Sequence, residues 1–473
     1  MIEQRRYALA GIFALCFVSA CVTAPEKTGG ADLATWVTAQ EKVSWDLLQL
    51  NISPDDPKEK GGPRPRQGIV VAALHKKDPD YYFHWVRDSA NVMRVVVEYY
   101  AQRGGDQARL HSQMKDFLEL SQDLQALHSP FGLGEPRYTT EGKIDSLPWS
   151  RPQYDGPALR ALAVIRYLKD FDGTIPKGTK TLAVKVLRRD LDFVAAMHNE
   201  RGFDIWEELK AENYHTRLVQ YSALMDGKKY VEGLQKASAQ LLPRLNDHWD
   251  PTRFFLRSQL AIEKTDGYTK KQSDLDSAVV LAVIEGDRMT GPHSVGDDRV
   301  MATVHALENL FLETYALNQN SSLGLSYGRY RGDVYYGGNP WFLITAYYAQ
   351  YYYRLARVLS ESDFQLSWHN LEFVRDLVPQ QTPQRLSEKV IWNRGSAPHK
   401  DFILACFKKA DRILARLRSV TPADGQLYEQ FDKLSGKPLS SRGIGWAHSA
   451  FIAASLERSR TLEKVPARDL LKD

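Results

Sequence analysis

Ala158-Leu159-Arg160-Ala161-Leu162-Ala163-Val164-Ile165-Arg166-Tyr167-Leu168 is the stretch whose reading decides the fold class. Ala158, Leu162, Ile165 and Leu168 step by four, three and three, the period of one apolar helix face. Val184, Leu187, Leu191 and Val194 repeat the pattern, as do Val300, Val304, Leu307 and Phe311. The same reasoning expects helices near 33–50, 89–103, 108–126, 215–235, 341–359, 401–418 and 445–458. Strand-like alternation is scarce, and Ile69 to Leu74 is its best instance. Asp88 reads as the cap of the helix that follows it, and Asn339-Pro340 as a cap with proline at the first helical position. The expectation is an all-α chain of successive amphipathic helices.

Long connections rich in Gly, Pro and aromatics separate these helices, at 51–68, 128–154, 200–213, 320–338 and 420–444. Loops of that length in a compact domain are usually functional, and these hold most of the polar–aromatic clusters. One site assembled on a helical scaffold is expected, within a single domain over 32–473. The absence of an exact repeat argues against a short-period solenoid.

Of the 473 residues, 43% are apolar and 25% charged, the profile of a folded chain. Lys and Arg number 62 against 58 Asp and Glu, so a net charge of +4 gives no field that would draw nucleic acid. The 12 His show no metal-ligand spacing, and no glycine loop opens a helix for phosphate, so neither metal nor cofactor is expected. Gly324-Leu325-Ser326-Tyr327-Gly328 fits the nucleophile-elbow pattern but lacks the strand before it and the helix after it.

The N-terminus reads as an address. Arg5 and Arg6 precede the apolar run Ala8 to Ala20, the layout of a secretory signal over residues 1–20. Val18-Ser19-Ala20-Cys21 resembles a bacterial lipobox, which implies a lipid on Cys21 and a tether over 21–31. Val22, rather than Asp, then points to the periplasm and the outer membrane of a Gram-negative bacterium. An ordinary signal or a retained anchor is the alternative. Loss of Glu3, Arg5 and Arg6 leaves a net charge of +3. Cys406, in an apolar stretch, is expected to be a buried small side chain without a disulfide partner.

Two acidic clusters carry chemistry: Phe203-Asp204-Ile205-Trp206-Glu207-Glu208-Leu209 and Tyr428-Glu429-Gln430-Phe431-Asp432. Glycoside hydrolysis needs two carboxyl groups flanking the bond, one to protonate the leaving oxygen and one to activate water or attack the sugar. It also needs flat rings against the sugar faces. An acid among apolar rings has its pKa raised, as a general acid requires. A Glu-Glu pair alone is weak evidence, since such pairs are more often solvated helix starts.

Three more blocks change that balance. They are Asp80-Tyr81-Tyr82-Phe83-His84-Trp85-Val86-Arg87-Asp88, then Gly132 to Pro136 leading to Trp149-Ser150-Arg151-Pro152-Gln153-Tyr154-Asp155, and Gly328-Arg329-Tyr330 leading to Asp333-Val334-Tyr335 and Asn339-Pro340-Trp341. In this order the five blocks resemble the glucoamylases of glycoside hydrolase family 15, over about residues 35–460. The resemblance implies an (α/α)6 barrel with the pocket at one end. It implies an inverting exo-hydrolase that releases β-glucose from the non-reducing ends of α-1,4-glucans, with carboxyl groups roughly 6.5–9.5 Å apart. It also implies Glu207 as general acid and Glu429 as general base. Arg87 and Asp88 would hold the terminal glucose, and Glu208 and Arg329 the next sugar. Tyr81, Trp85, Trp149, Trp206 and Trp446 would line the pocket. The partner expected is an α-glucan oligosaccharide, and the protein is expected to be a monomer. His84, Gly332 and Gly443 depart from residues frequent in the family. They leave another linkage open (α-1,6-glucan, trehalose or another diglucoside). An inactive sugar-binding lipoprotein is the alternative of a different class, and the presence of both Glu207 and Glu429 argues against it.

Overall fold

The computed structural model describes residues 30–54, 64–263, 271, 273–319, 321–378 and 386–465. The signal over 1–20, Cys21 and most of the tether lie outside the described residues. Thirteen α-helices occur among the described residues: α1 (Gly30–Gln49), α2 (Val86–Arg103), α3 (Gln107–Ala126), α4 (Asp155–Asp170), α5 (Lys177–Met197), α6 (Tyr214–Gly227), α7 (Gln235–Asn246), α8 (Ala278–Glu285), α9 (Asp298–Thr314), α10 (Phe342–Leu359), α11 (Leu371–Leu377), α12 (Ala397–Val420) and α13 (Gly445–Lys464).

Six of them close a ring. α2 packs on α4, α4 on α6, α6 on α8, α8 on α10, α10 on α13, and α13 back on α2. These inner helices are buried on nearly every face; all eight residues of α8 are buried. A helix apolar all round has no face to offer water and belongs inside. The outer helices α1, α3, α5, α7, α9 and α12 bury one stripe each, as Val186, Leu187, Asp190, Leu191 and Val194 show on α5. The architecture is an (α/α)6 barrel, as the helical periodicity and the family resemblance together imply.

Three local expectations are corrected. Ile69 to Leu74 is no strand: only Val70 makes a bridge, to Ile52. Its donors are taken singly, Val70 N by His84 Nδ1, Val71 N by Asn51 O and Ala72 N by Phe83 O, so no ladder forms. The stretch 215–235 divides: α6 ends at Gly227, Gly233 takes φ +84°, which a helix does not allow, and α7 begins only at Gln235. Neither proposed cap is a cap. α2 begins two residues before Asp88, and α10 begins after Trp341, with Asn339 instead donating to Tyr336 O at 2.7 Å. No described helix is long and apolar enough to cross a membrane.

Candidate active site

The long connections bring the acidic clusters to the N-terminal ends of the inner helices. Arg87 and Asp88 open α2, Asp155 opens α4, Asp276 precedes α8, Trp341 precedes α10 and Trp446 lies in the first turn of α13. Helix N-termini carry partial positive charge, so buried carboxylates gather there at reduced cost.

Glu207 stands at the tip of a hairpin in which Gly202–Phe203 pairs with Lys210–Asn213. Asp204 closes the tip: its Oδ1 accepts from Glu208 N at 2.8 Å and Leu209 N at 3.2 Å, and its carbonyl from Glu207 N at 2.9 Å. The tight turn forces Glu207 to φ +65°, a left-handed conformation costing a non-glycine residue about 1–2 kcal/mol. Strain of this kind persists where surroundings overdetermine it. Here Glu207 Oε1 accepts from Gln153 Nε2 at 2.9 Å, Trp85 Nε1 at 3.0 Å and Arg87 Nη2 at 3.4 Å, and Oε2 from Trp149 Nε1 at 2.8 Å.

Glu429 lies on the strand Tyr428–Phe431, which pairs with Pro438–Arg442; the register slips between Tyr428 and Gln430. An irregularity there re-aims the side chain between them. Glu429 Oε1 accepts from Tyr81 Oη at 2.7 Å, and Oε2 accepts from Ser440 Oγ. Burial pushes the carboxyl up to about 7, against the pull of Ser440, Tyr81 and Arg329. The Tyr81 and Trp85 rings meet edge to face at 5.7 Å, so the ring that holds one glutamate abuts the ring that holds the other.

Arg87 is buried among acids: Glu207 Oε1 and Asp88 Oδ2 at 3.4 Å and Asp155 Oδ2 at 3.5 Å. Arg87 Nε and Asp88 Oδ2 have no hydrogen-bond partner among the described residues. Burial lifts Asp88 to about 6, with Arg87 opposing and Glu207 and Asp155 adding. Below them, Glu285 accepts from Asn91 Nδ2 at 2.8 Å and Tyr347 Oη at 2.7 Å and meets His215 Nε2 at 2.6 Å. Trp446 joins this layer, donating to Tyr347 Oη at 2.8 Å with the Arg87 guanidinium 5.7 Å from its ring.

The third wall contains Glu208 and Arg329, which meet at 2.9 Å. Asp333 grips the Arg329 guanidinium through two nitrogens, and Tyr330 Oη donates to Glu208 Oε2 at 2.5 Å. Burial raises the Glu208 carboxyl, with Arg329 and Tyr330 opposing. Trp206 is pinned by Asp276, whose two oxygens lie 3.0 and 3.1 Å from its Nε1, and its ring is 5.8 Å from Trp341. Tyr335 Oη lies 2.6 Å from Tyr81 Oη, linking this wall to Glu429. The walls thus supply paired carboxyl groups, buried charged donors and indole and phenol rings.

Residues 43–456 match the family model described as Glycosyl hydrolases family 15. The chain belongs to that family. Glucoamylase-1 of Schizophyllum commune is 28% identical over 466 residues, covering 94% of this chain and 77% of that protein. Glucoamylase-1 of Arthroderma benhamiae is 30% identical over 423 residues, covering 83% and 65%. The solved glucoamylase of Saccharomycopsis fibuligera superposes with a TM-score of 0.82 at 25% identity, covering 92% of this chain and 97% of that one. The Hypocrea jecorina glucoamylase gives 0.81 at 27%, covering 91% and 73%. The protein is a glycoside hydrolase.

All eleven residues singled out in the hydrolase sequence fall on these connected walls. Gln153, Asp155, Tyr330 and Tyr335 also belong to these walls and were not expected there, although each lies inside one of the sequence blocks. Ser440 and Glu285 carried no local pattern at all. Of the departures, His84 is a buried pin, with Nδ1 accepting from Val70 N and burial pushing it down to about 3. Gly332 has φ +82° and open space where a Cβ would stand. Gly443 also has positive φ, +67°, and its nitrogen donates to Leu427 O. Ser326 lies outside any triad: its buried hydroxyl has no hydrogen-bond partner among the described residues. Cys406 is free and buried, as expected.

Proposed function

We propose that this hydrolase acts on α-glucan chain ends, releasing β-glucose by inversion, with Glu207 as general acid and Glu429 as general base. The observation that carries the reading is the contrast in how the two carboxyl groups are held across the Tyr81–Trp85 pair. Glu429 receives two hydroxyl donors, and a carboxyl lifted to about 7 is well poised to take a proton from water. Glu207 passes its proton to the glycosidic oxygen as the C1–O bond breaks. Water, losing a proton to Glu429, attacks C1 from the opposite face. Arg87 and Asp88 hold hydroxyls of the terminal glucose; Arg329 and Glu208 hold the sugar beyond it.

A second reading concerns linkage. Gly332 leaves open space beside Arg329, so the leaving sugar has room that an acidic side chain would take. Turnover of maltose, maltotriose, isomaltose, trehalose and dextran decides the linkage, with maltotriose expected to lead. NMR of the first product decides the stereochemistry: β-glucose is expected, and α-glucose rejects inversion. Sugar binding without turnover of any of the five would favour the inactive binding protein.

The chain is further proposed to be exported by residues 1–20, lipidated on Cys21 and anchored in the outer membrane facing the periplasm. Cys21→Ser is expected to abolish fatty-acid labelling; persistent labelling rejects the lipobox.

A further inference from the structure

Two surface loops tied by side-chain hydrogen bonds carry exposed aromatic residues, Phe254 and Trp368. The first is a hairpin in which Trp249–Asp250 pairs with Phe255–Leu256. Asp250 Oδ1 ties its tip, accepting from Thr252 N at 3.0 Å, Thr252 Oγ1 at 2.6 Å and Arg253 N at 3.0 Å. Phe254 sits at φ +58° in this tip, with the residue 37% exposed. A phenylalanine in left-handed backbone and open to water is costly twice over. The second loop is locked onto the start of α9. Asp298 Oδ2 accepts from Ser367 Oγ at 2.7 Å and lies 3.0 Å from His369 Nδ1, and Ser367 N donates to Asn370 Oδ1 at 2.8 Å. Between Ser367 and His369 stands Trp368, 62% exposed and the one tryptophan among the exposed large hydrophobics of the described residues.

The loops meet. The His369 ring lies 4.8 Å from Trp249 and 6.1 Å from Phe254, which are themselves 6.0 Å apart. Asp250 and Arg253 adjoin Trp249 and Phe254 along the hairpin, and Asp298 lies 3.0 Å from His369 Nδ1. A pyranose has C–H-lined faces and a rim of hydroxyls, so rings beside charged hydrogen-bonding groups match its chemistry. The hairpin also borders a cleft of about 790 Å³, whose lining includes Arg253, Phe255, Asp274, Tyr330 and Gly332. Tyr330 is the residue that donates to Glu208. The cleft therefore joins the wall of the candidate site to the hairpin.

We propose that Trp249, Phe254, Trp368 and His369 form a second glucan-binding site that holds a gluco-oligosaccharide chain outside the candidate pocket. This rests on the α-glucan reading only for the class of ligand. The rings hold a glucan chain without hydrolysing it and keep chain ends near the cleft.

Affinity electrophoresis of the full chain through gels containing soluble amylopectin tests it, in parallel with maltose turnover. Retardation is expected in wild type and also in Glu207→Gln, in which hydrolysis is disabled. In Phe254→Ala/Trp368→Ala the apparent Kd should rise roughly tenfold. Its maltose kcat/KM should stay within about twofold. Trp368→Tyr, which keeps a ring, should recover most of the retardation. Unchanged retardation in the double variant overturns the proposal. So does a loss of retardation that brings maltose turnover down with it, or a Trp368-dependent dimer in sedimentation, which would make the patch an interface between copies. Ring-dependent retardation by a protein that fails on maltose would uphold this site and defeat the hydrolytic reading, so the two failures are separable.

Discussion

The two ends of the inner barrel are both buried and both charged, yet they ionise in opposite directions. At the C-terminal ends, Glu98 lies within 3.8 Å of Arg94, Arg166 and Arg460. Glu457 meets Arg354 at 3.1 Å and Arg357 and Arg460 at 2.8 Å. Burial would raise Glu98, but Arg166 and Arg460 outweigh it and bring it down to about 2. At the N-terminal ends, burial dominates: Glu429 rises to about 7 and Asp88 to about 6. Desolvation is common to both ends; the number of arginines per carboxylate differs. One end is a clamp, and the other keeps carboxyls that can exchange a proton near neutral pH.

The largest expected effect lies at the catalytic end. Glu207→Gln or Glu429→Gln should lower kcat on maltotriose by roughly 10²–10⁴-fold. Retained turnover in either would break the site assignment.

Glu457→Gln at the arginine end should cost about 3–5 kcal/mol, because it leaves buried guanidinium groups short of a partner. Its kcat at 25 °C should be near wild type. An unchanged urea midpoint would show that the clamp does not stabilise.

The same substitution type should act in reverse at the other end. The folded Glu429 pKa of about 7 exceeds its ordinary value of 4.5, so the ionised side chain penalises the folded state. The penalty is absent below pH 4.5, grows between 4.5 and 7, and is full above 7. Glu429→Gln should therefore stabilise the protein at pH 8, by up to about 3 kcal/mol, and hardly at pH 4. A loss of stability at pH 8 would contradict the upward shift of the Glu429 carboxyl. Glu98 has the opposite sign: its contribution is present above about 4.5 and lost as pH falls toward 2.

The smallest effect sharpens the assignment of the base. Ser440 donates to Glu429 and favours its ionised form. Ser440→Ala should move the acid limb of kcat/KM upward by about one pH unit. A limb that stays in place would show that Glu429 does not set it.

Much of the site was legible because five blocks keep chemistry close in sequence. Trp206, Glu207 and Glu208 are consecutive, and Arg87 adjoins Asp88. What escaped was chemistry between blocks. Ser440 reaches Glu429 only because one strand slips its register against another, and no local pattern encodes a slip. Glu285 ends an apolar run with no motif around it, yet α2, α6 and α10 converge on it. The caps failed because the helices start elsewhere: α2 begins two residues before Asp88, and α10 begins after Trp341.

By itself the sequence determined most of the helices and the residue types of the pocket, since periodicity and short motifs are local properties; the inner helix Ala278–Glu285, apolar all round, shows no such period. Only the tertiary structure decided which carboxyl meets arginine and which meets hydroxyl, that Glu207 sits in left-handed backbone, and which end of the barrel holds the site. Those outcomes depend on burial and on partners up to hundreds of residues away, and electrostatic energy depends on distance in space rather than along the chain.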